Sequence, residues 1–407
     1  MTELLAGARA VDLVRARNAV VVAFAMNGLS FASWLSRAPA VRDALSLTTA
    51  QLGLLLLCLS GGACVALPLS GAMVHRLGPA RVVLLGSLMA GVGLLSLGVG
   101  VATGTVWPGA VGLVLAGMGS GNWDVAMNVA GADVERRRGR SLMPRLHAAF
   151  SLGTVAGGGV GAASAALGVP LAAQVLVAGV LVPLVVAVAV RAFPPSDTHG
   201  PADGAAERSN NLLRTWLEPR TLLIGVVTLA FAFTEGSAND WLAIAVVDGH
   251  HGSEVLGALG FGAFVTAMTI GRAGGGALLD RFGRVPMLRV SAVLAVAGLT
   301  LVTLAGSVGW VLAGALLWGL GASLGFPVGM SAAADDPARA AARVGVVSSI
   351  AYTAFLAGPP VIGLLAEHTG ILRALFVVLG VLVVGLLGIG AVRPLPAAEQ
   401  PTERPAG

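Results

Sequence analysis

The sequence has no lysine. All 25 basic residues of the 407-residue chain are arginines. A P-loop nucleotide site needs a lysine on the phosphates, and a Schiff base needs a lysine amine, so both are excluded. Uphill work must therefore be driven by an ion gradient, or by ATP hydrolysed on another chain. Charge of either sign is scarce: 11% of residues are charged, against roughly 25% in soluble domains. Such a surface cannot face water. Only two cysteines are present, Cys58 and Cys64. On one helix they are ~9 Å apart in rise and point to different faces, so neither a disulfide nor a metal site is expected. The six histidines are scattered and form no HExxH pair. No hydrolase or metal spacing stands out, so no cofactor and no enzymatic activity are expected.

What the chain has is apolar length. Hydrophobic residues make up 56% and the mean hydropathy is +0.87. Apolar runs of about 20 residues cross the bilayer as helices. They fall at 18–36, 50–74, 80–101, 107–131, 144–167, 170–191, 221–246, 254–278, 287–305, 308–332, 342–365 and 371–391. Barrel strands would be ~10 residues long and alternating. The expectation is an all-α membrane protein with twelve transmembrane helices. Arg9, Arg15 and Arg17 lead straight into the first run without a small-residue cleavage site, so no cleavable signal peptide is expected. The net charge of +5 sits in short loops, where topology explains it, and no nucleic-acid partner is expected. Arginines crowd the N-terminus and every second loop (76–81, 136–140, 208–220, 281–284, 339–343), while the other loops hold only Arg37, Arg42 and Arg373. Arginine-rich loops stay in the cytoplasm, which puts both termini there.

The polar stretch 194–219 reads as a linker between two halves, 1–193 and 220–393, and 394–407 reads as a disordered cytoplasmic tail. The halves repeat. Gly71, His75, Arg76 and Gly78 after the second span recur as Gly276, Asp280, Arg281 and Gly283, followed by Arg284, 205 residues later. Trp34 and Trp241 are 207 apart, Trp107 and Trp310 are 203 apart, and Gly157 and Gly358 are 201 apart. Such drift across six spans indicates duplication, as in two pseudo-symmetric six-helix bundles related by an axis along the membrane normal.

On these residues the chain resembles the major facilitator superfamily. The family signature G-x-x-x-D-R-x-G-R-R is matched well by Gly276 to Arg284, while His75 and Pro79 depart from it in the first copy. The resemblance implies that these loops gate the cytoplasmic side; Arg145 and Arg272 are further candidate gate residues, with snorkelling to the interface as their alternative. It also implies that the first, fourth, seventh and tenth spans line a central cavity. The segments Asn122-Trp123-Asp124 to Asn128, Pro144-Arg145 to Gly153, Glu235 to Trp241, and Gly358-Pro359-Pro360 look like a branch related to fucose permease, the YbjJ-like proteins of the bacterial inner membrane. Relatives of that type carry an acid in the fourth span with Asn four residues on, a place that Asp124 and Asn128 occupy. The first span offers Asn27, Ser30 and Ser33 but no acid. Gly158 stands where the antiporter motif of the family has Pro.

An ionised carboxylate at the bilayer centre costs about 2.5–3.5 kcal/mol, so interior acids belong in a cavity or a pair. Gly117, Gly121, Asp124 and Asn128 share one helical stripe. Asp124 is the expected protonation site, with His147 or Glu235 as its partner; His147 lies at a matching depth in the fifth span and can pair with Asp124 across the hairpin. Glu235 and Asn239 form a second polar face, with Asp240 near the outer end. Asn27, Ser30, Trp34, Trp123, Asn128, Asn239, Asp240 and Trp241 are candidate substrate contacts, the tryptophans having interfacial anchoring as their alternative. Three functions stay open: proton-coupled transport of a small polar, sugar-like solute by a monomer, proton-driven export of an apolar compound, and sensing without transport. The topology is testable. Cysteines placed near Arg37 and Gly249 are expected to react with an impermeant outside reagent, and those near Arg138 and Gly204 are not; the reverse pattern would overturn the orientation.

Overall fold

The computed structural model describes the backbone of residues 2–138, 142–193, 215–336 and 339–394, and their side chains apart from 2–12, 68, 75, 136, 144 and 340–342. The linker residues 194–214 and the tail 395–407 lie outside the described residues. In the first half come α1 (Thr2–Leu35), the short α2 (Ala38–Ala44), α3 (Thr49–Leu77), α4 (Pro79–Thr103), α5 (Val106–Arg138), α6 (Met143–Ala166) and α7 (Leu171–Ala189). In the second come α8 (Pro219–Ile244), α9 (Glu254–Phe282), α10 (Arg284–Leu304), α11 (Val308–Ala322), α12 (Gly325–Ala333), α13 (Ala340–Thr369), α14 (Ile371–Ala374) and α15 (Phe376–Gly388). Among the described residues all regular structure is helical.

Among the described residues ten stretches are long and apolar enough to cross a membrane. The other two spans, α5 and α6, have 33 and 24 residues but are diluted by glycines and by Asn122, Asp124, Asn128, His147, Ser151 and Thr154. Their polarity marks them as interior helices. The tenth span is broken between α11 and α12. Pro327 has no N–H to give to the carbonyl of Ser323, four residues back, and Gly325 packs so tightly on Phe231 that a Cβ there would lie 1.9 Å from its ring.

Within the first bundle α1 packs on α6, and α4 and α5 pack together with α3 on α5; within the second, α8 packs on α13 and α15, and α11 on α9 and α10. The bundles meet along two seams, α6 against α9 and α3 against α13. The internal repeat exchanges these seams, since α3 corresponds to α9 and α6 to α13. It also reaches the backbone. Gly78 and Gly283, 205 residues apart, both start the next helix at φ 80°, a left-handed value that glycine alone adopts freely.

Helices approach closely where small residues line up, as packing in lipid requires. A Cβ on Gly117 would lie 1.9 Å from the Leu59 carbonyl oxygen, and one on Gly153 the same distance from that of Ala25. A Cβ on Gly159 would meet nothing within 4 Å. Gly117→Val is therefore expected to destabilise the fold by about 1–3 kcal/mol through overpacking, and Gly159→Val to leave it unchanged. Thermal unfolding in detergent separates the two; equal midpoints would refute the close α3–α5 seat.

Candidate functional site

The face that carries the start of α1 is called here the terminal face, and the opposite one the distal face. On the distal face three polar contacts tie the bundles together. Arg37, only 6% exposed, donates to Glu254 Oε2 at 2.9 and 3.3 Å, and to the Val169 carbonyl and Gln174 within its own bundle. Arg42 pairs with Asp248. The N–H of Ala50 donates to Glu367 Oε2 at 3.1 Å. One hydrophobic cluster runs through residues of both bundles, whereas a second, around Val20, Phe24, Trp123 and Leu146, stays within the first.

Among the described residues the ion pairs of the terminal face each stay within one bundle. Asp335 takes Arg284 at 2.7 Å and Arg220 at 2.9 Å. Glu218 takes Arg339 at 2.6 Å and Arg343 at 2.8 Å. Burial alone would push the Glu218 carboxyl up, but hydrogen bonds from Arg343 and Thr221, with the charges of Arg343 and Arg339, outweigh it and hold Glu218 below the usual glutamate range. The end of the expected linker is thus anchored: Thr215 is buried and Glu218 is clamped. Glu135 accepts the N–H groups of Leu142 and Met143 at 2.5 and 2.7 Å and so caps the start of α6. Among the described residues the polar contacts between the bundle ends lie at the distal face, and the space between the two seams is the expected central cavity.

Two polar walls face that cavity. On one, Glu235 (α8) is held by Arg272 (α9) at 2.7 Å, and Arg272 Nε donates to the Ser323 carbonyl at 3.3 Å. That carbonyl is the one freed by Pro327. Arg272 lies within electrostatic reach of the exposed His147 across the α6–α9 seam. On the other wall Asp124 accepts from Asn128 Nδ2 at 3.3 Å and no cation pairs with it among the described residues. Tyr352 on α13 lies within electrostatic reach of Asp124 and of Cys64 on α3. Tyr352 contacts Phe326 and Phe355, with ring centroids 6.5 and 6.3 Å away. Phe355 in turn abuts Gly236, next to Glu235.

Several expectations from sequence need correction. Asp124 and His147 form no hydrogen bond among the described residues. Neighbours in the chain are not neighbours in the bundle here: α5 packs on α3 and α4, and α6 on α1, where His147 meets the Phe24 ring at 5.4 Å. Arg272 stands on Glu235 at cavity depth, away from the loop gate. Trp123 is fully buried against Gly86 of α4, and Trp34 and Trp241 are buried in the shared cluster, so none of the three presents a free ring. Trp107 and Trp310 are the exposed ones, at 79% and 63%. Asn27 is buried between α1 and α5 beside Met127 and Ser120. Ser30 is buried too, its carbonyl accepting from Ser33. Asn239 and Asp240 are half-buried on α8.

Of the expected gate residues, Gly78 and Gly283 shape the two turns, Arg284 binds Asp335 and Ser331, Arg281 lies over Phe282, and Arg76, Arg145 and Asp280 are exposed. Gly71 and Gly276 have open space around them. The side chain of His75 lies outside the described residues. Sequence reasoning missed the Phe326–Tyr352–Phe355 group; the signal was a lone tyrosine in the middle of an apolar span. A separate groove of about 400 Å³ between α1, α6 and α7 has an apolar lining and lies on the flank, away from these walls.

Two repeat-related bundles of membrane-length helices, with acids and an arginine held at mid-span, have the architecture of a membrane transporter. The chain belongs to the Major Facilitator Superfamily, whose model matches residues 20–274 and again 226–407. It is 31% identical over 365 residues to the transporter y4wD of Sinorhizobium fredii, covering 88% of this chain and 93% of that protein. An MFS-type transporter of Yersinia pestis is 31% identical over 381 residues, covering 91% of this chain and 93% of that protein. The crystal structure of the nucleoside transporter NupG superposes with a TM-score of 0.74 at 13% identity, over 94% of this chain and 98% of that one, a likeness of fold.

The distal contacts are testable as a latch. Glu254→Gln combined with Asp248→Asn is expected to shift the balance towards a distal-open state about tenfold, or about 1.4 kcal/mol. Spin-label distances between the α2 and α9 ends read this; an unchanged distribution would remove the latch.

Proposed function

We propose that the chain is a proton-coupled secondary transporter that moves a small solute by rocking 1–193 against 220–393. The terminal face then lies in the cytoplasm of a bacterial cell and the distal face outside the plasma membrane, in keeping with the arginine-rich loops. The segments around Asp124, Glu235 and Gly358 support a place in the branch related to fucose permease, with the chain acting as a monomer.

One observation carries the coupling. Two of the acids described at mid-span are in different states. Glu235 is neutralised by Arg272 at 2.7 Å, whereas Asp124 has an amide for company. An acid without a cation must be neutralised before it is occluded in hydrocarbon, and a proton does that. Asp124 thus loads and releases the proton as the cavity opens to each side in turn. Glu235 and Arg272 stay paired and position the solute, with His147 opposite Arg272 on the other bundle.

The test uses proteoliposomes with an internal pH dye and a panel of solutes. A solute carried by the wild type is expected to move the internal pH. Asp124→Asn is expected to lower that pH signal at least about tenfold while counterflow of an uncharged solute persists, because the amide still hydrogen-bonds. Glu235→Gln is expected to impair counterflow itself. A full pH signal in Asp124→Asn would sink the coupling assignment.

A further inference from the structure

The cavity also carries information on what it binds. Gly53 seats on the Pro359 carbonyl and Gly363 on Thr49 and Gly53, which fixes an antiparallel register between α3 and α13. Three turns further along α3 this register brings Cys64 level with Tyr352. Gly121 seats on Ala63, so Asp124, one turn on, lies beside that level on α5. Tyr352 is 38% exposed. Phe326 stands edge-on to it at 61°, and Phe355 is tilted at 48°. Phe326 comes from the helix that restarts after the break in the tenth span. The aromatic group therefore runs from the Asp124 wall to Gly236 beside Glu235.

The charges on this path are unequal. Arg272 is the cation described at this depth, and it is engaged by Glu235 and by the Ser323 carbonyl. Asp124 has the Asn128 amide beside it and the Tyr352 ring within electrostatic reach. An aromatic face attracts a cation through its quadrupole, and more strongly where water is excluded. A carboxylate next to such a face discriminates charge, and the rings supply an apolar surface for the ligand body. We propose that the Asp124–Tyr352–Phe355 wall is a binding site for an organic monocation, a ring-bearing ammonium whose charge rests on Asp124 and whose body lies against Tyr352 and Phe355. This rests on the reading of Asp124 as the cavity's unpaired acid. Proton and ammonium are then alternatives at one carboxylate, so the solute is exchanged for a proton.

Cys64 reports on the site in the full-length protein. In a Cys58→Ala background, alkylation of Cys64 by N-ethylmaleimide is followed with benzylammonium, benzyl alcohol or benzoate present. Benzylammonium is expected to slow alkylation about tenfold, with the alcohol and the carboxylate leaving it within about twofold. Asp124→Asn and Tyr352→Leu are expected to remove the protection, and Tyr352→Phe to keep it, since the ring and not the hydroxyl holds the ligand. Melting curves of each variant confirm that it is folded. Equal protection by benzyl alcohol, protection that survives Asp124→Asn, or none from benzylammonium would overturn the proposal. If Asp124→Asn loses the proton signal while benzylammonium gives no protection, the coupling stands and the ligand class falls.

Discussion

The pair between Arg272 and Glu235 sets the chemistry of this molecule. A charge in hydrocarbon must find a partner, and Arg272 finds two. One is the Glu235 carboxylate at 2.7 Å, and the other is the Ser323 carbonyl. The second exists because Pro327 removes the hydrogen bond that would have closed the helix over it. The break in the tenth span is thus part of the site. It lets one arginine neutralise one acid and hold two helices in register, while Asp124 meets no cation among the described residues.

The repeat gives the fold its two seams but does not make its faces equivalent. Gly78 and Gly283 keep the same left-handed φ after 205 residues, because that backbone conformation strains any residue that carries a Cβ. The side chains around them have diverged. Arg284 is clamped to Asp335 with Arg220, all within the second bundle. The distal face carries the contacts that cross between bundles, led by the buried Arg37. A charge pair buried at a seam holds one state firmly, since separating it exposes an uncompensated charge. The same pairs inside one bundle stiffen that bundle and leave rocking free.

Much of this was written in the sequence. Apolar run lengths gave the spans, because a bilayer has a fixed thickness and a helix a fixed rise. Gly117 and Gly121 marked a close approach, and Gly71 to Gly78 with Gly276 to Gly283 marked the repeat. Asp124 and Glu235 stood out as interior acids, since carboxylates are expensive in such a place. These are local properties, legible in a window of a few turns or by comparing one half with the other.

Pairing was not legible. Spacing made Asp124 and His147 plausible partners across a hairpin, yet α5 and α6 pack on different helices. Trp34, Trp123 and Trp241 looked like rings for a ligand, but all three are buried between helices, and Tyr352 with Phe326 and Phe355 lines the cavity instead. Arg272 and Glu235 are 37 residues apart, and no periodicity joins them. By itself the sequence determined how many times the chain crosses the membrane, which helices carry polar groups, and that the halves are copies. Only the tertiary structure decided which acid is neutralised, which face ties the bundles together and which rings line the cavity. Partners across helices are chosen by rotation and crossing of packed rods, and those are set by contacts between residues far apart in the chain.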